Sequence, residues 1–308
     1  MAKEHIGLIT FFPVLFILAS LFFLPAGTLT GNENGAVSKN TFATSSTRTK
    51  APVDPFYNIS LEAESAYVLD VKNNKTLFSK NGEKKLPLAS LTKIMSAIVL
   101  REHFGEGHTI QIDSNALTME GDNGLFINEK WDIGDLLSFS LITSSNDGIR
   151  AATKSFEETT GTDMIRLMNE KARTLSLAKT HFLNETGLDV TPTLSGSYGT
   201  AHDVSTLLKY AYERHGELLY PTRYKERRIT SLNFGEHVVK NTNNIVDKLP
   251  SVLGGKTGFT DLAGGNLAVL FEKEPGWPII VVALGSSTEG RFSDVEKLVW
   301  ASIVNYDK

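Results

Sequence analysis

Hydrophobic and polar positions divide the chain into three unequal stretches. Ile6 to Ala26 is uncharged and dominated by Leu, Phe and Ile, with Lys3 and Glu4 ahead of it. A secretory signal has an apolar core of roughly 7–15 residues, whereas a membrane span needs roughly 20. This run of 21 residues reaches the spanning length, although Pro13 and Pro25 interrupt it. Residues 1–30 therefore read as a retained membrane anchor in preference to a cleaved signal peptide, and either reading carries the rest of the chain out of the cytoplasm. Residues 31–54 are rich in Asn, Ser, Thr, Gly and Ala and bury too little surface to fold, so they read as a flexible linker. From residue 55 to 308 apolar positions recur with regular periods, and this stretch is the expected folded domain.

Within it, Ala66 to Asp70 and Lys75 to Ser79 flank Val71-Lys72-Asn73-Asn74 as a β-hairpin. From Ser90 the period becomes helical, with Ile94, Met95 and Ile98 on one side. Asp132 to Ile142 and Asp147 to Phe156 read as two helices joined at Thr143 to Asn146, followed by helices at Asp163 to Leu175 and His202 to His215. The last third turns to strands at Arg228–Leu232, His237–Asn241, Val252–Thr257, Gly265–Phe271 and Pro278–Leu284, then a helix from Glu289 to Val304. Strands, a block of helices and strands again predict an α+β domain: an antiparallel sheet flanked by helices, with a helical lobe inserted between its early hairpin and its late strands.

Composition narrows the chemistry. The net charge of −4 gives no basic footprint for nucleic acid. With no cysteine there is no disulfide framework, thiolate nucleophile or cysteine-ligated zinc. The seven histidines are scattered, and His103 with His108 lacks the spacing of a helical zinc site. No glycine fingerprint for a dinucleotide follows a strand, so neither a metal nor a cofactor is expected.

Three polar clusters remain, in the order Ser90-Leu91-Thr92-Lys93, Ser144-Ser145-Asn146 and Lys256-Thr257-Gly258. Ser-x-x-Lys recurs at Ser176-Leu177-Ala178-Lys179, and Ser-x-Asn occurs at four places, whereas Lys-Thr-Gly occurs once. Order and setting therefore carry the argument. Ser90 opens a helix and Lys93 lies one turn along on the same face. A serine hydroxyl is a weak nucleophile until a neighbour takes its proton. Lys93 can do so only when neutral, through burial near Leu91 and Ile94 or repulsion by a cation such as Lys256. Ser144 and Asn146 sit in a break between helices, placed to relay a proton and orient Lys93 or a substrate amide. Lys256 and Thr257, at a strand end preceded by Gly254-Gly255, suit an anionic group on an extended peptide. Taken singly, the clusters also fit a helix cap at Ser90, a cap at Ser145 or Asn146 and a turn lysine at 256. Ser176 sits at a helix end, where capping explains it better.

Read together, the clusters resemble those of the serine D-alanyl-D-alanine carboxypeptidases, the low-molecular-mass penicillin-binding proteins. Leu88 to Met95, Leu141 to Asp147, Phe182 to Leu188, Gly255 to Asp261 and Leu284-Gly285-Ser286 followed by Arg291 carry the likeness. It implies the DD-peptidase/β-lactamase-like fold and acylation of Ser90, with Lys93 as proton acceptor and Ser144 with Asn146 as relay. It also implies Lys256, Thr257, Gly258 and Phe259 as the substrate-binding strand, the backbone N–H groups of Ser90 and Phe259 as an oxyanion hole, and Arg291 near the terminal carboxylate. The implied partners are a peptidoglycan stem peptide ending in D-Ala-D-Ala, β-lactam inhibitors and, through the N-terminal segment, the membrane. Many relatives carry a further C-terminal β-domain and amphipathic anchor that are not expected here.

Two positions depart from the family pattern: Ser145, where glycine or alanine is usual, and Gly265, where an aromatic residue commonly precedes the asparagine. A β-lactamase and a catalytically silent wall-binding domain are the alternatives. Fast turnover of penicillin would mark the first, and failure both to release D-alanine and to form a penicillin adduct the second. Class A β-lactamases use a Glu-x-x-x-Asn pattern, whereas Glu185-Thr186-Gly187-Leu188-Asp189 ends in aspartate.

Overall fold

In the computed structural model, which describes residues 54–121 and 123–304, the folded chain opens with the expected hairpin, β1 (Ser65–Asp70) and β2 (Lys75–Lys80). A short β3 (Leu86–Pro87) leads into a 3₁₀ turn at Ala89–Leu91 and then α1 (Thr92–His103). The lobe that follows contains β4 (Thr109–Gln111), β5 (Lys130–Asp132), α2 (Ile133–Thr143), α3 (Asn146–Thr160) and α4 (Met164–Thr174). After β6 (His181–Phe182) and β7 (Ser197–Gly199) come α5 (Ala201–Arg214) and α6 (Gly216–Leu219). The chain then runs through β8 (Glu226–Ser231), β9 (Gly235–Lys240), β10 (Val252–Thr260), β11 (Gly264–Glu274) and β12 (Trp277–Ser286) to α7 (Gly290–Val304). The expected anchor within residues 1–30 and nearly all of the expected linker lie outside the described residues. Among those described, no helix is long and apolar enough to cross a membrane.

The main sheet has the order β10-β11-β12-β1-β2, and every neighbouring pair is antiparallel. Side chains alternate across its central strands because the strand period is 2. Ala66 and Val68, Leu267, Val269 and Phe271, and Ile279, Val281 and Ala283 pack with Phe292, Val295 and Leu298 of α7. Tyr67, Leu69, Ala268, Leu270, Ile280 and Val282 face the opposite way, in one cluster with Ile94, Met95 and Ile98 of α1. The centre of the sheet is thus buried on both faces, and β1, β11 and β12 carry near-continuous apolar runs.

One expectation is corrected. β8 and β9 belong to the late-strand series in sequence, yet they form a separate two-stranded ribbon joined to the lobe through the Leu232 N–H on the Lys130 carbonyl. Ile229 and Val239 are the apolar side chains that the ribbon buries, too few for a central strand. β3, β6 and β7, and the pair β4–β5, are two or three residues each, too short for a period to show in the sequence.

Candidate active site

Ser90 lies in the 3₁₀ turn ahead of α1, so it precedes the helix without capping it. Ala89 before it is buried with φ of +49°, a conformation that costs a non-glycine residue energy and persists only when its surroundings enforce it. Gly187 permits close packing against that turn. It too has positive φ (+83°), and a Cβ on it would lie 1.9 Å from the Ala89 carbonyl oxygen. The Thr92 hydroxyl donates to the same carbonyl at 2.7 Å. The turn holds Ser90 half-buried at the head of α1, where unsatisfied backbone N–H groups give partial positive charge.

Lys93 follows three residues later and is fully buried. Its Nζ lies 2.8 Å from Ser90 Oγ, 2.7 Å from Asn146 Oδ1 and 2.8 Å from the Thr186 carbonyl oxygen. The Asn146 orientation is fixed because its Nδ2 donates to the Glu120 carbonyl at 2.6 Å. Two of the three neighbours can therefore only accept, and the third is a hydroxyl able to donate. A neutral amine, with two protons and one lone pair, satisfies all three by accepting from Ser90. Burial pushes the Lys93 pKa down to about 7, against an upward pull from the Glu185 carboxylate. Of the two routes read from sequence, burial is the one that acts on Lys93.

The α2–α3 junction assigns one task to each residue of the middle cluster. Ser144 ends α2 in the left-handed conformation (φ +63°), and Ser145 caps α3 by accepting from the Gly148 N–H at 3.0 Å. Asn146 opens α3 facing Lys93. Capping and the site thus coexist: Ser145 serves as the cap while its two neighbours reach the site. Ser144 Oγ accepts from Lys256 Nζ at 2.7 Å, which links the lobe to the sheet.

β10 is the edge strand of the sheet, and its open side is set by alternation. The Gly255 N–H donates outward to Thr222 Oγ1 at 2.9 Å, so residues 257 and 259 also present their N–H and C=O groups on that edge. Lys256 Nζ accordingly reaches the Thr257 carbonyl at 2.9 Å. The Phe259 N–H faces the same way, as an oxyanion donor requires. Gly258 makes this possible: a Cβ there would come within 2.9 Å of the Leu88 carbonyl oxygen and 3.3 Å of the Ser90 nitrogen. Lys256 is held well below the ordinary lysine range by burial first, then by the charges of Lys93 and Arg291.

Arg291 donates through Nη1 to the Gly258 carbonyl at 2.8 Å, so it braces the strand end as well as adding positive potential there. Its Cδ would lie 3.2 Å from a Cβ at residue 265, and the Ser287 carbonyl oxygen only 2.1 Å from it. Gly265 is thus needed for close packing of Arg291 and the 287 backbone.

The structure brings Ser90, Lys93, Asn146, Ser144, Lys256, Thr257, Gly258, Phe259 and Arg291 to one corner. The second Ser-x-x-Lys does not join them, since Ser176 follows α4 with φ of +58° and Lys179 pairs with Glu83. A cleft of about 440 Å³ continues from Phe259 between Thr260–Leu262 and Leu188–Pro192. Asp189 spans it, accepting from Thr260 Oγ1 at 3.0 Å and the Leu262 N–H at 3.2 Å. Sequence reasoning missed Thr186, Gly187, Asp189 and the Glu120 carbonyl as site elements. Phe182 to Leu188 stood out only as family-like, and backbone roles leave no side-chain motif. Glu185, which opens the Glu-x-x-x-Asp stretch, pairs its carboxylate with Arg150 of α3 at 3.3 Å.

The sequence model of the family described as D-alanyl-D-alanine carboxypeptidase matches residues 46–288. The D-alanyl-D-alanine carboxypeptidase DacF of Bacillus subtilis (strain 168) is 29% identical over 255 residues, covering 80% of this chain and 63% of that protein. DacC of Escherichia coli (strain K12) is 28% identical, with 78% and 61% covered. The D-alanyl-D-alanine endopeptidase of the same organism is 28% identical, with 76% and 75% covered. The chain thus spans about three-fifths of the length of the two carboxypeptidases. Penicillin-binding protein D2 from Listeria monocytogenes, solved with ampicillin bound, matches with a TM-score of 0.67 at 27% identity over 79% of this chain and 98% of that one. DacD from Francisella tularensis has a TM-score of 0.71 at 24% identity, covering 80% and 71%, a likeness of fold.

Proposed function

We propose, from the premise that the chain belongs to the D-alanyl-D-alanine carboxypeptidase family, that it removes the terminal D-alanine from peptidoglycan stem peptides through an acyl-enzyme on Ser90. The observation that carries this reading is the buried Lys93 amine 2.8 Å from Ser90 Oγ, with its other two contacts on obligate acceptors. In the proposed course, Ser90 Oγ attacks the carbonyl between the two D-alanines while Lys93 takes its proton. The oxyanion is held by the Ser90 and Phe259 N–H groups; removing one such donor typically costs about 10²–10³ in rate. The C–N bond then breaks, and a proton delivered through Ser144 and Lys256 completes the amine of the departing D-alanine. Water resolves the ester by the reverse proton route. Lys256 and Thr257 hold the terminal carboxylate, and the arriving anion favours the protonated form of Lys256. Asn146 keeps Lys93 in line, and Arg291 supports the carboxylate corner from behind Gly258.

The free edge at Thr257 and Phe259 supports pairing with an extended peptide, and the cleft beyond Phe259 leaves room for its upstream residues. β-Lactams, which present a carboxylate beside a strained amide, are proposed inhibitors at the same corner. Residues 6–26 are proposed to hold the domain at the outer face of the cell membrane. Support for this is their apolar length and the location of the substrate, and the distribution of full-length protein between membrane and soluble fractions tests it. The enzymatic reading is tested by release of D-alanine from a pentapeptide and by the intact mass after penicillin treatment. Absence of both the product and a stable adduct on Ser90 overturns it.

A further inference from the structure

Thr242 belongs to none of the three clusters, yet it touches two of their settings. It lies in the turn after β9, with its Oγ1 2.6 Å from Thr257 Oγ1. Its N–H donates to the Ile142 carbonyl at 3.2 Å, and its Oγ1 lies 3.5 Å from that same oxygen. Ile142 is in the last turn of α2, just before Ser144. The turn around Thr242 is itself pinned. Asn241 Nδ2 donates to the Thr222 carbonyl at 2.6 Å and the Tyr224 carbonyl at 3.0 Å, and its Oδ1 accepts from the Asn243 N–H at 2.8 Å. Thr242 is therefore held in place by the protein alone.

Two hydroxyls this close share one of their two protons, and the direction of sharing decides what Thr257 can do. If Thr257 donates to Thr242, its proton is spent inside the protein. The Thr242 proton must then go to the Ile142 carbonyl, at the limit of hydrogen-bond distance and already accepting from the Thr242 N–H. If Thr242 donates to Thr257, the Thr257 proton is left available for another acceptor. The second arrangement has the better geometry and offers a donor to an incoming anion.

We propose that Thr242 is a positioning residue for substrate recognition: it donates to Thr257 Oγ1 and so keeps the Thr257 hydroxyl proton aimed at the terminal carboxylate. This rests on the reading in which Thr257 meets that carboxylate. Because the contact is made before and during the reaction alike, its loss should weaken binding more than turnover.

The test is Thr242→Val, which keeps the shape and removes the hydroxyl, with Thr242→Ser as the restoring variant. For a peptide ending in D-Ala-D-Ala, KM should rise about five- to tenfold with kcat within about twofold, and T242S should return to wild-type values. Acylation by penicillin should slow by a similar factor in T242V, whereas acylation by penicillin methyl ester, which lacks the carboxylate, should not change. Unchanged KM in T242V overturns the proposal. So does an equal slowing with the acid and the ester, which would make Thr242 a merely structural support. Should the wild type release no D-alanine, the proposed function falls, and the acid–ester comparison still decides the role of Thr242.

Discussion

Replacing Lys93 by methionine should abolish acylation and also change how stability depends on pH. Lys93 is fully buried and its pKa is brought from 10.5 down to about 7, chiefly by loss of hydration. In the unfolded chain the amine regains the ordinary lysine value. Between pH 7 and 10.5 the unfolded state thus binds more protons than the folded state, and stability rises with pH there. Below pH 7 both states carry the proton, and the folded protein bears the whole cost of burying it. The slope approaches about 1.4 kcal/mol per pH unit inside the window. Lys93→Met lacks this slope and also relieves the repulsion acting on Lys256, which works in the same direction. Methionine leaves the Thr186 carbonyl and Asn146 Oδ1 without a donor, at about 1–3 kcal/mol each, but that loss does not depend on pH. Urea unfolding between about pH 7.5 and 9.5 should therefore show the wild type gaining about 3 kcal/mol relative to the variant. Parallel stability curves would refute a depressed lysine, and with it the neutral base that the proposed mechanism needs.

Acylation by penicillin should rise as pH increases through about 7, following deprotonation of Lys93, and a rate still climbing toward pH 10 would contradict this. Asn146→Asp places a carboxylate on the amine and raises its pKa. Acylation at neutral pH should then fall by roughly tenfold or more and partly recover in alkali, read from the same pH profile. Ser90→Ala should eliminate both D-alanine release and the adduct seen by intact mass, whereas Ser176→Ala should leave both intact. Gly187→Ala should lower the melting temperature seen by circular dichroism and slow acylation by roughly tenfold or more, because its Cβ meets the Ala89 carbonyl that shapes the nucleophile turn.

Much of this was legible because the chemistry is carried by side chains near the ends of strongly periodic elements. The apolar face of Ile94, Met95 and Ile98 marked α1, and so fixed that Ser90 and Lys93 share a side. The break after Ile142 marked the α2–α3 junction. The order of strands, a block of helices and strands again marked an antiparallel sheet flanked by helices. Most of what escaped was carried by the backbone, while Asp189 and Thr242 act through side chains that no motif marks. The Thr186 and Glu120 carbonyls position Lys93 and Asn146 through atoms that every residue possesses, and Gly187 acts by lacking a side chain. The ribbon β8–β9 escaped for a different reason. Its alternation is real, but alternation shows only that one side is covered, not which layer covers it.

The pairing of β1 with β12 makes the candidate active site a late product of chain growth. Ser90 and Lys93 are both synthesised by the end of α1, but β10 follows much later in the sequence, and its sheet closes only when β12 pairs with β1. Contacts so distant in sequence form slowly. A chain not yet extended through α3 and β10–β12 would thus carry Ser90 and Lys93 without the burial that depresses the amine, without its Asn146 contact, and without the strand edge at residues 257–259.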